Sequence, residues 1–306
     1  MVNMNNTFQE LYNYALSINC EAVPGDRMCL HTSFKTGGPC GIRLSPESAE
    51  QVILTLKKCE ELNIPFVVLG NGTNVLVPDE GIEKAVIIIG DKMSDFELLE
   101  DNTISFSAGA NLVSLCRFAL ENELSGLEFA FGIPGTLGGA VYMNAGAYGG
   151  EMKDVLTEIT HLTPDMKIET ISADEADLSY RHSVYKNNGC IILGGKVRLK
   201  PDTRDNIKAR MDDFLGRRKD KQPLEYPSAG STFKRPEGYF AGALIEQCNL
   251  KGKSVGGAQV SEKHAGFVIN KGGATSTDIL NLIELVSKTV KNETGVTLEP
   301  EVIVLR

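Results

Sequence analysis

Backbone amide groups are the first candidates for chemistry in this chain, because a glycine-rich segment leaves them without side-chain cover. Residues 132–150 read Gly-Ile-Pro-Gly-Thr-Leu-Gly-Gly-Ala-Val-Tyr-Met-Asn-Ala-Gly-Ala-Tyr-Gly-Gly. Glycine reaches positive φ without steric cost and lets a ligand approach main-chain N–H donors closely. The segment therefore either turns sharply several times or cradles an anion; an irregular connection without a ligand is the alternative. It lacks the Gly-Lys-Ser/Thr ending of a Walker loop, so a nucleoside triphosphatase is not indicated.

A second glycine loop, Gly-Asn-Gly-Thr-Asn at 70–74, lies between two apolar runs. In a Rossmann fingerprint the glycine turn opens a helix. Here the Val-Leu-Val run at 75–77 precedes Pro78, which favours a second strand instead. A plain hairpin turn is the alternative. Two such loops beside one β-rich region predict a ligand with a diphosphate and a long body, which describes a dinucleotide.

Two charged side chains could act on a carboxylate or on a developing negative charge. Arg181 lies in Tyr-Arg-His-Ser at 180–183 and could bind a carboxylate bidentately. A surface arginine is the simpler interpretation of that residue alone. Glu301 stands at the head of the last predicted strand, where an exposed glutamate would be unremarkable.

A serine in a run of small residues is the third side-chain candidate. Ser231 lies in Ser-Ala-Gly-Ser-Thr-Phe-Lys-Arg-Pro at 228–236, where small neighbours leave its hydroxyl approachable. Lys234 and Arg235 add local positive charge to an acidic protein. The segment does not match Gly-x-Ser-x-Gly, so a nucleophile elbow is not expected. An ordinary turn serine is the alternative.

The elements that must position these groups are of both types, so the pattern predicts an α+β chain. Ser45, Pro46 and Glu47 predict the cap and first turn of one helix. Asp101-Asn102 predicts a hairpin turn between arms at 96–99 and 103–107. The predicted helices cover 7–18, 46–62, 111–123, 203–220, 240–249 and 276–293. The predicted strands lie at 66–69, 74–77, 84–89, within 155–171, and at 190–199, 264–270 and 301–305.

Length and composition narrow the class of protein. The chain has 306 residues and a formal net charge of −9, which argues against a nucleic-acid or anionic-membrane surface. No apolar run approaches the roughly 18–20 residues of a membrane span, and residues 1–7 resemble no signal peptide. The seven cysteines include no Cys-x-x-Cys pair, a pattern that predicts reduced thiols, no metal site and a cytoplasmic protein.

A set of motifs covers the chain in a fixed order from about residue 31 to its carboxyl end. The motifs are His-Thr-Ser-Phe-Lys-Thr-Gly-Gly-Pro at 31–39, the 70–74 loop, 132–150, 180–183, 226–236, Gly-Gly-Ala-Gln-Val-Ser-Glu-Lys-His-Ala-Gly at 256–266 and Leu-Glu-Pro-Glu-Val at 298–302. With these motifs the chain resembles the UDP-N-acetylenolpyruvoylglucosamine reductase family. One departure is Thr36, which stands where an isoleucine is frequent in the family.

Composition changes at about Pro201, which predicts a dinucleotide-binding region to about 199 and an α+β lobe from about 200. The resemblance implies that the region 1–199 is a two-lobed FAD-binding domain of the vanillyl-alcohol-oxidase-like type, with a lobe boundary near 90–100. A smaller α+β substrate domain would cover 200–306, in the shorter form of the reductase that lacks an extra tyrosine-bearing loop, with the last strand returning to the active site. FAD would be held without a covalent bond. The implied cofactor-binding residues are Gly70, Asn71, Gly72, Thr73, Asn74, Gly135, Thr136, Gly138, Gly139, Asn144 and Gly146.

The implied reaction reduces the vinyl ether of UDP-N-acetylglucosamine enolpyruvate to UDP-N-acetylmuramate with NADPH, in cytoplasmic peptidoglycan precursor synthesis and hence cell-wall formation, cell shape and division. By resemblance, Arg181 and Glu301 would stabilise the negative charge that collects on the substrate carboxylate, and Ser231 would deliver a proton to the α carbon. The candidate substrate contacts are Tyr180, Lys221, Arg235, Gln259 and Lys263. Small molecules are the expected partners, and a monomer is favoured.

Two other functions remain open at this stage. An FAD-dependent alcohol or hydroxy-acid oxidase or dehydrogenase of the same fold would share the first 200 residues but not the motifs of Ser231 and Glu301. A nucleotide-binding or scaffold protein with a degenerate flavin pocket would take up no FAD. The complete set of implied reacting residues favours the reductase over both.

Overall fold

The computed structural model of the protein describes residues 6–306. The prediction that the chain begins without a signal peptide concerns residues 1–7, and residues 1–5 lie outside the described residues. Apart from short 3-10 turns, the helices are α1 (Asn6–Ser17), α2 (Ala49–Glu61), α3 (Leu112–Glu121), α4 (Leu137–Tyr142), α5 (Arg204–Lys221), α6 (Ala241–Gln247) and α7 (Ser276–Thr294).

Strands alternate with these helices in small sheets. The strands of the first two-thirds are β1 (Glu21–Pro24), β2 (Cys40–Ser45), β3 (Phe66–Leu69), β4 (Val75–Leu76), β5 (Ile82–Ile88), β6 (Phe96–Leu98), β7 (Thr103–Ser107), β8 (Leu124–Ser125), β9 (Gly146–Ala147), β10 (Gly150–Glu151), β11 (Leu156–Leu162), β12 (Ile168–Ser172) and β13 (Ile191–Arg198). The remaining strands are β14 (Lys200–Pro201), β15 (Ser254–Val255), β16 (Ala258–Val260), β17 (Val268–Asn270) and β18 (Ile303–Val304).

Among the described residues, the first compact unit comprises 6–24, 42–71 and 84–217. It contains a four-stranded sheet in the order β1-β2-β5-β3 and a five-stranded sheet in the order β12-β11-β13-β7-β6. In the first sheet β3 pairs with β5 in parallel, from Phe66 opposite Ala85 to Leu69 opposite Ile88. Its apolar core includes Leu56 and Ile104, both fully buried.

The second compact unit comprises residues 25–41, 72–83 and 218–306. It holds the three-stranded sheet β15-β16-β17 and the parallel pair of β4 with the last strand, β18. Helix α7 begins with a reciprocal cap, in which Thr275 accepts from the backbone of Asp278 and Asp278 accepts from that of Thr275. Its buried face, which includes Leu282 and Val286, packs in a core separate from that of the first unit.

Several sequence predictions are confirmed at the level of single elements, with small errors at their ends. Asp101 and Asn102 both have positive φ, 54° and 57°, as a two-residue hairpin between β6 and β7 requires. The predicted cap of α2 is wrong by three residues, since Ser48 and not Ser45 accepts the bond from Gln51 N.

The hairpin alternative for the 70–74 loop is wrong. Strand β3 pairs with β5 and strand β4 pairs with β18, so the two strands that flank the loop belong to different sheets. The strands β1, β2, β15 and β16 were not predicted. They are short and lack a long apolar alternation, and cross-strand pairing determines them more than local preference does.

The division into units differs from the predicted domains. Helix α5 as far as Arg217 belongs to the first unit, and residues 25–41 and 72–83 belong with the carboxyl-terminal part. Contacts between residues distant in sequence decide this grouping, whereas the predicted boundary at 199–200 rested on local composition. The predicted functional domains and their lobe boundary therefore stay predictions.

The cysteines are free thiols throughout the described part of the chain. Five of the seven are buried, and Cys29 and Cys190 are half-buried. Burial raises the pKa of the Cys59 thiol to about 12, which fits a small apolar side chain without reactivity. Within residues 6–306, no helix combines the length and the apolar character needed to cross a bilayer.

Candidate active site

In the first unit, the 70–74 loop begins where strand β3 ends, and its first glycine lies against Thr136. A Cβ at Gly70 would overlap the Thr136 hydroxyl, so no larger residue fits without displacing that side chain. Thr136 in turn caps helix α4, with its Oγ1 accepting from Gly139 N at 3.3 Å. The two predicted cofactor loops thus meet at Gly70 and Thr136.

The glycine-rich segment 132–150 is more regular than an anion-binding loop alone would be. Its middle forms the short helix α4, and its end forms the strand pair β9 and β10. Gly138 packs so closely on Ala108 that a Cβ there would lie 3.0 Å from the Ala108 Cβ. These glycines therefore serve close backbone packing as well as any ligand.

Asn144 is fully buried, and its side chain is used inside the first unit. Its Nδ2 donates to Glu151 Oε2 at 2.8 Å and to the carbonyl oxygen of Ser179 at 3.0 Å. Its Oδ1 accepts from Lys153 N at 3.0 Å. Both amide hydrogens therefore have protein acceptors, and the predicted role of Asn144 in cofactor binding is not tested by these contacts.

Arg181 lies at the tip of a tight turn in the first unit. Ser179 and His182 pair across the turn through two backbone hydrogen bonds of 3.2 and 3.0 Å. Arg181 has a φ of 54°, a left-handed conformation that non-glycine residues adopt only where surrounding contacts hold it. Its guanidinium carbon lies 5.3 Å from the ring centre of Tyr180, which is half exposed. The side chains of Tyr180 and Arg181, both predicted site residues, are thus within cation–π distance of each other.

Residues 72–74 of this loop lie in the second unit, and Gly72 lies against the 31–39 motif. A Cβ at Gly72 would overlap the carbonyl oxygen of His31, and Ser33 N donates to the Gly72 carbonyl oxygen at 3.1 Å. The Ser33 hydroxyl is buried and has no hydrogen-bond partner among residues 6–306. A buried hydroxyl without a partner beside a glycine loop fits a polar ligand group.

Ser231 and Glu301 come from segments that pair with each other in the second unit. Glu301 N donates to the Thr232 carbonyl oxygen at 2.8 Å, and Lys234 N donates to the Glu299 carbonyl oxygen at 2.8 Å. Ser231 itself is exposed, whereas Thr232 is fully buried. Two predicted catalytic residues that are seventy positions apart in sequence are therefore carried by adjacent, hydrogen-bonded stretches of backbone.

The Ser231 segment is also held by hydrogen bonds between Thr232 and the backbone of Gly266 and Val268. Thr232 N donates to the Gly266 carbonyl oxygen at 2.9 Å, and Val268 N donates to Thr232 Oγ1 at 2.9 Å. Gly266 N donates to Nδ1 of His264 at 3.1 Å. Burial lowers the pKa of His264, which favours the neutral imidazole that this acceptor role requires.

Asn74, predicted to contact the cofactor, is also tied to the last strand. Its Nδ2 donates to the Glu301 carbonyl oxygen at 3.1 Å, and its own carbonyl oxygen accepts from Ile303 N at 3.0 Å. Asn74 therefore fixes the backbone of Glu301, which is half-buried. The last strand is thus held within the second unit, and its predicted return to the active site stays a prediction.

The other predicted substrate contacts lie in separate sets of contacts in the second unit. Lys263 donates to the Lys219 carbonyl oxygen at 2.6 Å, near the end of α5 where Lys221 is exposed. Gln259 accepts from Lys271 Nζ at 3.1 Å. The guanidinium of Arg235 lies 4.0 Å from the ring centre of the exposed Phe240. This stacking could be seen only in the structure.

Sequence reasoning missed one residue beside the predicted site residues in each unit. Ser33 has a buried hydroxyl without a partner among the described residues, and the only signal in the sequence was its place in the 31–39 motif. Ser183 is fully buried and donates to the Tyr142 carbonyl oxygen at 2.7 Å. Its signal was its position two residues after Arg181, where no chemistry was assigned to it.

Comparison with known proteins defines the class first. Residues 42–172 match the family model described as "FAD binding domain", and residues 222–305 match "UDP-N-acetylenolpyruvoylglucosamine reductase, C-terminal domain". The α+β fold and FAD as the cofactor are thereby confirmed. The buried Ser33 hydroxyl, which has no partner among residues 6–306, fits a polar group of such a ligand.

Individual relatives then narrow the class. A protein of Agathobacter rectalis named UDP-N-acetylenolpyruvoylglucosamine reductase is 52% identical over 285 residues, covering 89% of this chain and 90% of its own length. One of Clostridium botulinum with the same name is 46% identical and covers 98% of each chain. The crystal structure of the enzyme from Thermus caldophilus matches with a TM-score of 0.80 and 33% identity, covering 94% of this chain and 99% of that one. The chain belongs to the UDP-N-acetylenolpyruvoylglucosamine reductase family.

Proposed function

We propose that this chain reduces the enolpyruvyl double bond of UDP-N-acetylglucosamine enolpyruvate to give UDP-N-acetylmuramate, a step of peptidoglycan precursor synthesis. The observation that carries the proposal is the pairing of the Ser231 and Glu301 segments, through the 2.8 Å bond from Glu301 N to the Thr232 carbonyl oxygen. That pairing holds a hydroxyl and a carboxyl group on adjacent stretches of one unit. In the proposed reaction the hydroxyl supplies the proton and the carboxyl group stabilises the negative charge.

The chemistry assigns a different task to each side chain. FAD, when bound, supplies a hydride, and NADPH is the proposed source of its electrons. Hydride addition to the terminal carbon leaves an electron pair on the adjacent carbon and on the carboxylate attached to it. Arg181 binds that carboxylate and protonated Glu301 donates a hydrogen bond to it, so both oppose the added charge. Ser231 then gives its proton to the α carbon, which completes the addition of two hydrogens.

Binding of the cofactor is assigned to the two glycine loops, without a covalent bond. The loops surround the contact between Gly70 and Thr136 in the first unit and that between Gly72 and His31 in the second. The proposed cofactor-binding residues are Gly70, Asn71, Gly72, Thr73, Asn74, Gly135, Thr136, Gly138, Gly139, Asn144 and Gly146.

Binding of the UDP-sugar is assigned to Tyr180, Lys221, Arg235, Gln259 and Lys263. Among them, Arg235 has the clearest support, because its stacking on Phe240 fixes the plane of a guanidinium that suits a diphosphate. We further propose that the protein acts as a cytoplasmic monomer on small molecules, without nucleic-acid or membrane partners. The net charge of −9 supports the last point.

An ultraviolet-visible titration of the purified protein tests this function. We expect a flavin spectrum that bleaches when NADPH is added without oxygen and returns when the enolpyruvyl UDP-sugar follows. UDP-N-acetylglucosamine without the enolpyruvyl group is the matched control and should leave the flavin reduced. A spectrum that recovers only with oxygen, together with oxygen consumption on a simple alcohol, would instead identify an oxidase.

A further inference from the structure

The turn that carries Arg181 is fastened at its carboxyl side by Ser183. This serine is fully buried, and its hydroxyl donates to the Tyr142 carbonyl oxygen at 2.7 Å. Tyr142 is the last residue of helix α4 in the glycine-rich segment. The bond therefore joins two stretches of the first unit that lie 41 residues apart in sequence.

Ser183 precedes a short 3-10 helix, but its hydroxyl does not cap that helix. It stands at the cap position of the 3-10 helix Val184–Lys186 but makes no side-chain cap hydrogen bond. Serine is favoured at such positions because its oxygen accepts from the first N–H groups of the helix. Local helix capping therefore does not explain the residue, whereas the bond to Tyr142 does.

Asn144 fastens the amino side of the same turn. Its Nδ2 donates to the Ser179 carbonyl oxygen at 3.0 Å and to Glu151 Oε2 at 2.8 Å. The backbone of Asn144 has a φ of 41°, which asparagine tolerates better than most residues. Its side chain is thus directed at the turn from within the glycine-rich segment.

The two anchors leave a short stretch between them. Only Tyr180, Arg181 and His182 separate Ser179 from Ser183, and Arg181 has the left-handed φ of 54°. A conformation of that kind persists only when its surroundings hold it. The anchors at Ser179 and Ser183 supply such a hold on both sides.

We infer that Ser183 and Asn144 are positioning residues, which fix the Arg181 guanidinium by binding its turn to the glycine-rich segment. The inference rests on the proposed function in one respect, namely that Arg181 binds the substrate carboxylate. A displacement of about 1 Å in a positioning group can cost on the order of 10²-fold in rate. Loss of the Ser183 anchor should therefore impair the step that uses Arg181 more than the step that does not.

Transient kinetics of Ser183→Ala measure this difference. We expect reoxidation of the reduced protein by the enolpyruvyl UDP-sugar to slow by about 10²-fold, while reduction by NADPH keeps its wild-type rate. Thr157→Val is the matched control, because it removes a hydroxyl that donates to the Lys196 carbonyl oxygen at 3.2 Å in the same unit. Both rates should stay at the wild-type value in that variant. Equal slowing of both steps by Ser183→Ala would overturn the inference.

A double-mutant cycle separates positioning from general stability. If Ser183 acts through Arg181, then Ser183→Ala should slow reoxidation little further in protein that already carries Arg181→Ala. An undiminished further loss would show that Ser183 acts independently and would contradict the inference.

Trypsin offers a readout without catalysis, because it cleaves after Arg181. Mass spectrometry of short digests of the FAD-loaded protein, made at equal FAD content, should show faster cleavage between Arg181 and His182 in Ser183→Ala and Asn144→Ala than in wild type or Thr157→Val. Wild-type cleavage in both variants would refute the inference. If wild-type protein is not reoxidised by the enolpyruvyl substrate, the proposed function fails, and the cleavage result still decides whether these residues hold the turn.

Discussion

At the scale of the residue, Ser231 has the most demanding task. A serine hydroxyl is a weak acid, so it can donate a proton only to a strongly basic carbon held close to it. Its segment is suited to that demand, since Thr232 beside it is fully buried and bonds to Gly266, Val268 and Glu301. The exposed side chain of Ser231 therefore projects from backbone that is hydrogen-bonded both to the 266–268 segment and to Glu301.

Ser231→Ala should separate the two half-reactions. We expect reduction by NADPH to continue at the wild-type rate, and reoxidation by the enolpyruvyl UDP-sugar to slow by about 10²–10⁴-fold, because a general acid contributes that much. Stopped-flow absorbance of the flavin measures both steps. Ser228→Ala, three residues earlier in the same segment, is the control and should change neither. A Ser231→Ala protein with normal reoxidation would remove Ser231 from the mechanism.

At the scale of the element, the sequence predicted local features well and pairings poorly. Helix α7 and the Asp101-Asn102 hairpin follow from periodicity and turn chemistry within short windows. The bond from Asn74 to Glu301 spans 227 residues, and no local pattern indicates it. Family motifs pointed to Ser231 and Glu301, but not to the hydrogen bond between their segments. Side chains that only support others, such as Ser183, were missed because their types and spacing suggest no chemistry.

Gly70→Ala tests the contact between the two glycine loops. The added Cβ would overlap the Thr136 hydroxyl, so Thr136 must move and the cap of α4 must weaken. We expect the purified variant to retain less FAD, measured as the ratio of flavin absorbance to protein absorbance. Gly216→Ala is the matched control, since a Cβ there meets nothing within 4 Å and alanine suits the interior of α5 better than glycine. Equal flavin content in both variants would contradict the assigned cradle.

At the scale of the whole molecule, each of the two units has its own apolar core. Each unit also contains a histidine, which is buried in the first unit and half-buried in the second. In the first unit His161 is 4% exposed, and its Nδ1 lies 2.9 Å from the Tyr185 hydroxyl. In the second unit His264 accepts from Gly266 N. Burial lowers the pKa of both. Because the cores are separate, unfolding need not be a single two-state transition, and each histidine reports on its own unit.

Stability should therefore fall as the pH falls through the ordinary histidine range. With a folded-state pKa below the unfolded value of about 6.5, each imidazole binds its proton more readily in the unfolded chain. The stabilisation is complete above about pH 6.5 and declines between that value and the lower folded-state pKa, with a slope of at most about 1.4 kcal/mol per pH unit for each histidine.

Calorimetric unfolding between pH 5.5 and 7.5 checks this dependence. His264→Gln should flatten the decline for the transition of the second unit, and His161→Gln should flatten that of the first, because each variant removes one titrating group. Above pH 7 the difference between each variant and wild type should be constant, which serves as the internal control. A decline below pH 6.5 that is equally steep in both variants and in wild type would show that other groups cause it.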